Sequence, residues 1–343
     1  MSPSLRFPEF TGEWEKCKIE DITDAVSSGK SKNHFSNGEY NLYGSTGIIG
    51  RTDKALYDGK LVLVARVGAN AGFLQIINEP CGITDNTLIL KPKGIDAFYL
   101  YYFLQHFNLN RLIFGSGQPL ITGGMLKKVK VSLGTISEQS KIVKFLSLLD
   151  ERIAVQNRLI DRLQSLMIGI AQKIAHSNKP NVRISDCLEC SSSALQESEV
   201  NKTGKYPVYG ANGIVGYIDK YHTQNEAIYI IKDGSGVGGV SYVTGKCSST
   251  GTLNILQAKN GHSLKYLYYL LKVFNFVPYK TGMAIPHIYF KDYGKAKIFC
   301  PAYPEQLEYA KLLSSIDGNL RIALDSLKNF NLQKQYLLRH MLI

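Results

Sequence analysis

YNLYGSTGIIGRTDK, starting at Tyr40, returns as YPVYGANGIVGYIDK starting at Tyr206, a shift of about 166 residues. The echo extends outward from there. LVLVARVGANAG at Leu61 answers to AIYIIKDGSGVG at Ala227, and FYLYYFL at Phe98 answers to KYLYYLL at Lys265. SEQSKIVKFLSLLDERI at Ser137 pairs with PEQLEYAKLLSSIDGNL at Pro304. Two copies of so long a unit are not a solenoid, whose repeats are shorter and more numerous. They predict two domains of one topology, each followed by a long helix and related by an approximate two-fold axis. Such symmetry suits a two-part target, and DNA is the first to test.

The 343 residues allow two domains that each bury a core, and 44% hydrophobic content without low-complexity tracts predicts an ordered chain. No apolar run approaches the roughly 20 residues that span a bilayer. The opening MSPSLRFPEFTGEWEK has acidic residues and no apolar signal core, so a cytoplasmic location is expected. Cysteines stand at positions 17, 81, 187, 190, 247 and 300. Only Cys187 and Cys190 form a CxxC, no second ligand pair completes a zinc site, and no cysteine recurs between the halves. Small, reduced, apolar-type cysteines and no metal are expected.

Forty basic residues oppose 28 acidic ones, for a net charge of +12. Residues 1–136 hold 15 basic and 12 acidic side chains, and 177–303 hold 14 and 8. Residues 137–176 and 304–343 together net only +3. The excess therefore lies in the globular regions, where a polyanion would be gripped.

The long segments carry a heptad seam. In the first it runs Ile142, Leu146, Leu149, Ile153, Gln156, Ile160, Leu163, Met167, Ile170, Ile174. In the second it runs Tyr309, Leu313, Ile316, Leu320, Ala323, Leu327, Phe330, Lys334, Leu337, Met341. Steps of four and three alternate in both. At 1.5 Å per residue each segment makes a rod of roughly 60 Å, too long to cover its stripe on one small domain. An antiparallel pair fits, with Gln156 and Ala323 at the same seam step; separate packing of each helix on its own domain is the plainer alternative.

Elsewhere the pattern predicts mixed strands and short helices. LVLVAR and AIYIIK read as buried strands, and FYLYYFLQHF and KYLYYLLKVF as short helices whose aromatics belong to the core. Three loops recur around them. The first is the YGSTG and YGANG turn, holding Tyr43, Ser45 and Thr46 in one copy and Tyr209 and Asn212 in the other. The second begins with a basic residue at a strand end, Arg66 or Lys232, and continues through glycines with Asn70 or Ser235. The third sets Gln118, Pro119 and Thr122 of FGSGQPLITGGML, from Phe114, against Met283, Ala284 and His287 of YKTGMAIPHIYF, from Tyr279. A repeated frame with changed tips is what base-reading loops require, although plain turn chemistry also explains the glycines. Lys30, Lys32, Arg51, Lys202 and Tyr217 complete the candidate DNA contacts.

Signs of catalysis are weak. GSGVGG at Gly234 matches a dinucleotide fingerprint but leads into VSYVTGKC, a strand-like run, instead of a helix. FGSG at Phe114 lacks both a following helix and the tetrapeptide of DNA methyltransferases. Gly29-Lys30-Ser31 imitates the end of a phosphate-binding loop, but the required first glycine is Asp24.

GSGQPLITGGMLKKVKVSLGTISEQSKIVKFLSLLDERIAVQNRLIDRLQSL, the opening LRFPEFTGEW and the closing NLQKQYLLRHMLI resemble the specificity subunits of type I restriction-modification systems. The resemblance covers the chain and is sharpest where Glu138-Gln139 precedes Asp150 and Glu305-Gln306 precedes Asp317. It implies an α+β fold: target recognition domains at 1–136 and 177–303, joined by long spacer helices at 137–176 and 304–343 in an antiparallel coiled coil. Each domain would read half of a split, asymmetric DNA site, with no catalysis and no cofactor in this chain. S-adenosylmethionine would belong to two partner methyltransferase subunits, and ATP with magnesium to partner restriction subunits. The recognition domains are compact for the family, so contact residues carry over poorly. Two other readings stay open: a single-chain methyltransferase or nuclease with its own recognition module, and a scaffold that bridges partners without DNA.

Overall fold

The computed structural model describes residues 3–32, 37–113 and 118–343, so Phe114 to Gly117 of the third loop lie outside the described residues. The chain forms two compact units, residues 1–157 with 326–343, and residues 158–325.

The first unit contains β1 (Glu15–Lys18), β2 (Thr23–Ser28), β3 (Tyr40–Gly44), β4 (Gly47–Thr52) and β5 (Lys60–Ala65). It continues with β6 (Leu74–Asn78), β7 (Cys81–Ile83), β8 (Thr87–Pro92) and β9 (Lys130–Leu133). These make a sheet in the order β2-β8-β5-β6, a sheet β4-β3-β7 and a ribbon β1-β9. The second unit repeats the plan with β10 (Val182–Arg183), β11 (Leu188–Ser192), β12 (Tyr206–Gly210), β13 (Gly213–Ile218) and β14 (Glu226–Ile231). Its remaining strands are β15 (Val240–Thr244), β16 (Ser248–Ser249), β17 (Leu253–Ala258) and β18 (Lys297–Ile298). Their orders, β11-β17-β14-β15, β13-β12-β16 and β10-β18, match the first unit strand for strand.

The continuous apolar run of β5 has a direct cause. Val62 and Val64 pack with Leu88, Leu90, Leu100, Phe103 and Leu104, while Leu61 and Leu63 pack on the other face with Ile77, Cys81, Ile83 and Ile89. A strand buried on both faces has no solvent side on which to place polar residues. The aromatic helices are Ala97–Phe107, capped by the Asp96 carboxylate, and Leu264–Val273, capped by the Ser263 hydroxyl. Their tyrosines are core residues with occupied hydroxyls: Tyr99 donates to Ser132 O at 3.1 Å and Tyr266 to Phe299 O at 2.9 Å.

The long helices run Ile136–Ala175 and Tyr303–Met341, within two residues of the expected limits. Every seam residue named above is buried or half-buried, Gln156 and Ala323 included. In the first unit Ile142, Leu146 and Leu149 from the first helix pack with Leu337, Leu338, Met341 and Leu342 from the end of the second. Asp150 pairs with Lys334 Nζ at 2.6 Å and accepts the Tyr102 hydroxyl at 2.8 Å. The second unit joins the C-terminal stretch of the first helix with the N-terminal stretch of the second, so the two helices pair antiparallel as a coiled coil.

The repeated Glu-Gln pair acts as a joint. Gln139 donates to Gly134 O at 2.9 Å and accepts from Asp96 N at 3.2 Å, which fastens the start of the long helix to the start of the aromatic helix. Gln306 repeats this with Pro301 O at 2.8 Å and Ser263 N at 2.8 Å. The glutamates differ. Glu138 is buried and takes a fork from Arg6 at 2.6 and 2.8 Å together with Trp14 Nε1 at 3.1 Å, whereas Glu305 is exposed.

Leu146 is fully buried where the two long helices meet. Leu146→Ala is expected to cost about 2–5 kcal/mol, seen as a lower chemical-denaturation midpoint for the first unit.

Candidate nucleic-acid interface

Three loops of each unit are brought together by the same backbone hydrogen bonds. In the first unit the β5 strand ends at Arg66, whose N–H donates to Asn86 O at 2.9 Å and whose carbonyl accepts from Ile121 N at 2.8 Å. Gly68 N then donates to Pro119 O at 3.0 Å. In the second unit Lys232 N donates to Thr252 O at 2.9 Å, Ile288 N to Lys232 O at 2.9 Å and Gly234 N to Pro286 O at 2.9 Å. The glycine loop and the third loop are therefore laced edge to edge in both copies. Gly68 and Gly234 have φ of 79° and 96°, the left-handed region that glycine enters without strain.

The β3–β4 turn joins the same cluster. Ser45 Oγ donates to Asn86 O at 3.3 Å, and Gln75 Nε2 donates to Gly44 O at 2.9 Å and Ser45 O at 3.2 Å. Asn86 thus links the turn to Arg66. In the second unit Thr250 N donates to Tyr209 O at 2.9 Å, and the Thr250 and Thr252 hydroxyls lie 2.8 Å apart, linking its turn to Lys232. Thr46 and Asn212 occupy the same exposed tip position, and Asn70, Gln118 and Ser235 are exposed beside it. The Arg66 guanidinium is half-buried and its Nε has no hydrogen-bond partner. A buried donor left unmatched is costly, and an incoming phosphate oxygen would satisfy it. Lys30 and Lys32 line a separate cleft with Thr52 and Lys54, and Lys202 is exposed on the segment leading to β12.

Several candidate contacts are also engaged within the fold. Tyr43 turns back from the tip: its hydroxyl donates to Glu79 Oε1 at 2.5 Å, with Asn41 Nδ2 on the same oxygen at 2.8 Å. Burial and that carboxylate push the Tyr43 phenol up to about 12, and the same hydrogen bonds lower the pKa of Glu79. Tyr209, its counterpart, packs edge-on against Tyr229 at 5.8 Å. Both rings anchor the hairpin. Arg51 is spent on its own loop, donating to Gly38 O at 2.6 Å and Glu39 O at 2.8 Å. Tyr217, at the equivalent place, is half-buried and pairs through its backbone with Asn201. Thr122 is a helix cap, its Oγ1 accepting from Met125 N at 3.3 Å. His287 is half-buried, its ring edge-on to Tyr289 at 5.2 Å.

The register of the third loop also changes. Matching hydrogen bonds equate Pro119 with Pro286 and Ile121 with Ile288, so Gln118 corresponds to Ile285, not Met283, and Thr122 to Tyr289, not His287. One residue is added between β17 and the aromatic helix, and the repeat shift rises by one beyond it: Thr87 aligns with Leu253, but Asp96 with Ser263. Met283 at 106% exposure, Ile285 at 65% and Phe73 at 48% are large apolar side chains at these loops that residue type alone did not mark. Exposed hydrophobics beside polar tips suit contact with thymine methyls or insertion at a base step. Among the described residues one group of metal-ligand types, Cys187, His262 and Cys300, comes together. It sits at the other end of β17 from the glycine loop, because Leu253 pairs with Ile231 while Ala258 pairs with Leu188. No helix among the described residues is long and apolar enough to cross a membrane.

Thr122→Ala is expected to cost about 0.5–2 kcal/mol and to speed amide exchange at Met125, the signature of a lost cap.

The family model for the type I restriction modification DNA specificity domain matches residues 11–165 and again 177–329. The chain is 28% identical over 112 residues to the type I restriction enzyme EcoprrI specificity subunit of Escherichia coli, covering 32% of this chain and 28% of that protein. It is 30% identical over 118 residues to the type I restriction enzyme MjaVIII specificity subunit of Methanocaldococcus jannaschii, covering 33% of this chain and 27% of that protein. The chain thus spans less than a third of the length of these curated relatives. Its fold superimposes on the crystal structure of the type I restriction-modification system S subunit from M. genitalium with a TM-score of 0.74 at 20% identity, over 100% of this chain and 99% of that one. With the specificity-domain model matched twice along one chain, and the same sheets built twice, this protein belongs to the type I restriction-modification specificity subunit family.

Proposed function

We propose that this chain is the cytoplasmic DNA-recognition subunit of a type I restriction-modification complex, reading a bipartite, asymmetric site. The observation that carries the reading is the laced three-loop cluster, present in both units with one frame and different tips. Arg66 and Lys232 stand at the same point of that frame and supply phosphate contacts that set register. Thr46, Asn70 and Gln118 in one unit, and Asn212, Ser235 and Ile285 in the other, face base edges, so the half-sites differ.

Recognition domain 1–136, spacer helix 137–176, recognition domain 177–303 and spacer helix 304–343 then divide the work between reading and measuring. The coiled coil sets the spacing between half-sites, and affinity requires both at once. The chain itself has no chemistry in this scheme; methylation and cleavage belong to methyltransferase and restriction partners that carry S-adenosylmethionine and ATP. Exposed Phe145, Leu148, Val155, Leu159 and Leu166 on the first long helix support such partners, since they recur at steps of three, four and seven on a face the seam leaves open.

Binding to duplex DNA by gel shift and salt titration tests the reading. Lys232→Ala or Arg66→Ala is expected to weaken binding to all sequences and to reduce the salt slope by about 1 each. A loss confined to one base pair would contradict the phosphate role. Removing one heptad from both helices is expected to shorten the preferred spacer while both half-sites stay the same, checked by selection from a randomised duplex library. Altered half-sites at an unchanged spacer would sink the ruler role.

A further inference from the structure

We infer that the second unit contains a metal site in which Cys187, His262 and Cys300 bind a thiophilic divalent cation, zinc being the ion this ligand set suits. The three residues are far apart in sequence, and the CxxC that draws the eye is not the pair involved. Cys190 lies on β11, paired with Leu256, while Cys187 finds its partners across the fold. Its Sγ, the Cys300 Sγ and a ring nitrogen of His262 all lie within 4.8 Å of one another. Zinc bonds of about 2.3 Å to sulfur and 2.0–2.1 Å to nitrogen in tetrahedral geometry place ligand atoms roughly 3.6–3.8 Å apart, so small side-chain rotations close the set.

The surroundings hold each ligand in place. Cys300 is fixed through both backbone groups by Asn181, which accepts from Cys300 N at 2.8 Å and donates to Cys300 O at 2.7 Å. Cys187 O accepts from Lys259 N at 2.9 Å, and Lys259 O accepts from His262 N at 3.2 Å. His262 Nδ1 lies 3.2 Å from Asn260 O. A carbonyl only accepts, so in the Nδ1–H tautomer this contact orients the ring and leaves the Nε2 lone pair for an ion, the arrangement common in metal-binding histidines. Cys187 is fully buried, Cys300 is 8% exposed and His262 is half-buried, giving solvent access on the imidazole side. Two thiolates and a dication sum to zero, which suits a site largely removed from water. Loading releases two protons, one from each thiol, while the imidazole binds neutral and water fills the fourth position.

The first unit supplies the control. Its short helix Ile19–Ile22 answers to Ile184–Cys187, so Ile22 stands where Cys187 does. Ile95 precedes the cap Asp96 as His262 precedes the cap Ser263. Leu133 follows Ser132, which accepts from Tyr99, as Cys300 follows Phe299, which accepts from Tyr266. Ile22, Ile95 and Leu133 belong to one hydrocarbon cluster. The same joint is thus closed by three aliphatic side chains in one copy and by two thiols and an imidazole in the other. Small apolar packing accounts for a cysteine in place of an aliphatic residue, but not for a histidine arriving with two of them. The ion would tie the end of a short helix, the loop before the aromatic helix and the chain entering the second long helix to one point.

The test uses the full chain, reduced and stripped with EDTA, then titrated with cobalt(II) and separately with zinc. We expect one ion per chain by elemental analysis, with the visible absorption of a tetrahedral cobalt–thiolate centre. His262→Gln is expected to weaken binding at least about 100-fold, beyond the loss usual for outer partners. The triple variant Cys187→Ile, His262→Ile, Cys300→Leu installs the first unit's own packing and is expected to keep its circular dichroism while losing the ion. Failure of the reduced wild-type chain to take up cobalt at one equivalent would overturn the site. So would undiminished uptake by the triple variant, or a Cys187–Cys300 disulfide in the purified chain whose reduction yields no cobalt binding.

Discussion

A helix of 40 residues with one apolar seam gains most of its stability from burying that seam, and the seam runs through both units. The second long helix, of 39 residues, carries the same seam and solves the problem by lying antiparallel to the first. Much else follows from that pairing. Each unit is completed by a piece of helix from a distant stretch of the chain, as Leu337, Leu338 and Met341 complete the core around Trp14, Tyr99 and Leu146. The repeated Gln139 and Gln306 then set the angle at which each helix leaves its domain, since both amide ends of the side chain are held by backbone.

The three laced loops obey a different constraint. Their backbone groups are satisfied by one another: Arg66 by Asn86 and Ile121, Gly68 by Pro119, with the same pairs in the second copy. Because the frame is held by main-chain bonds, tip side chains can change without loss of the scaffold. That is how Thr46 becomes Asn212 and Gln118 becomes Ile285 on an unchanged sheet order.

The two copies also diverge away from these loops. The first domain is tied to its long helix by a charge pair between half-buried Arg6 and buried Glu138, assisted by Trp14. The second has an exposed Glu305 at that point and gathers Cys187, His262 and Cys300 at its neighbouring joint. The same joint is therefore closed by aliphatic packing and a charge pair in one copy, and by two thiols and an imidazole in the other.

Periodicity made much of this legible in advance. The heptad steps, the doubly buried β5 and β14, and the assignment of the aromatic helices to the core rest on spacings within a few residues, where covalent geometry alone decides which side chains share a face. The duplication itself was visible as text. What the sequence could not contain was long-range register. The repeat shift of 166 grows to 167 before the second aromatic helix, and the loop hydrogen bonds set Gln118 opposite Ile285 where sequence matching had put Met283. Tyr43 and Tyr209 look like tip residues until the bulged hairpin turns them onto the core. Three ligands separated by dozens of residues meet only once β11, β17 and β18 have been placed. Those outcomes depend on how sheets close over one another, a property of the whole chain that no local window holds.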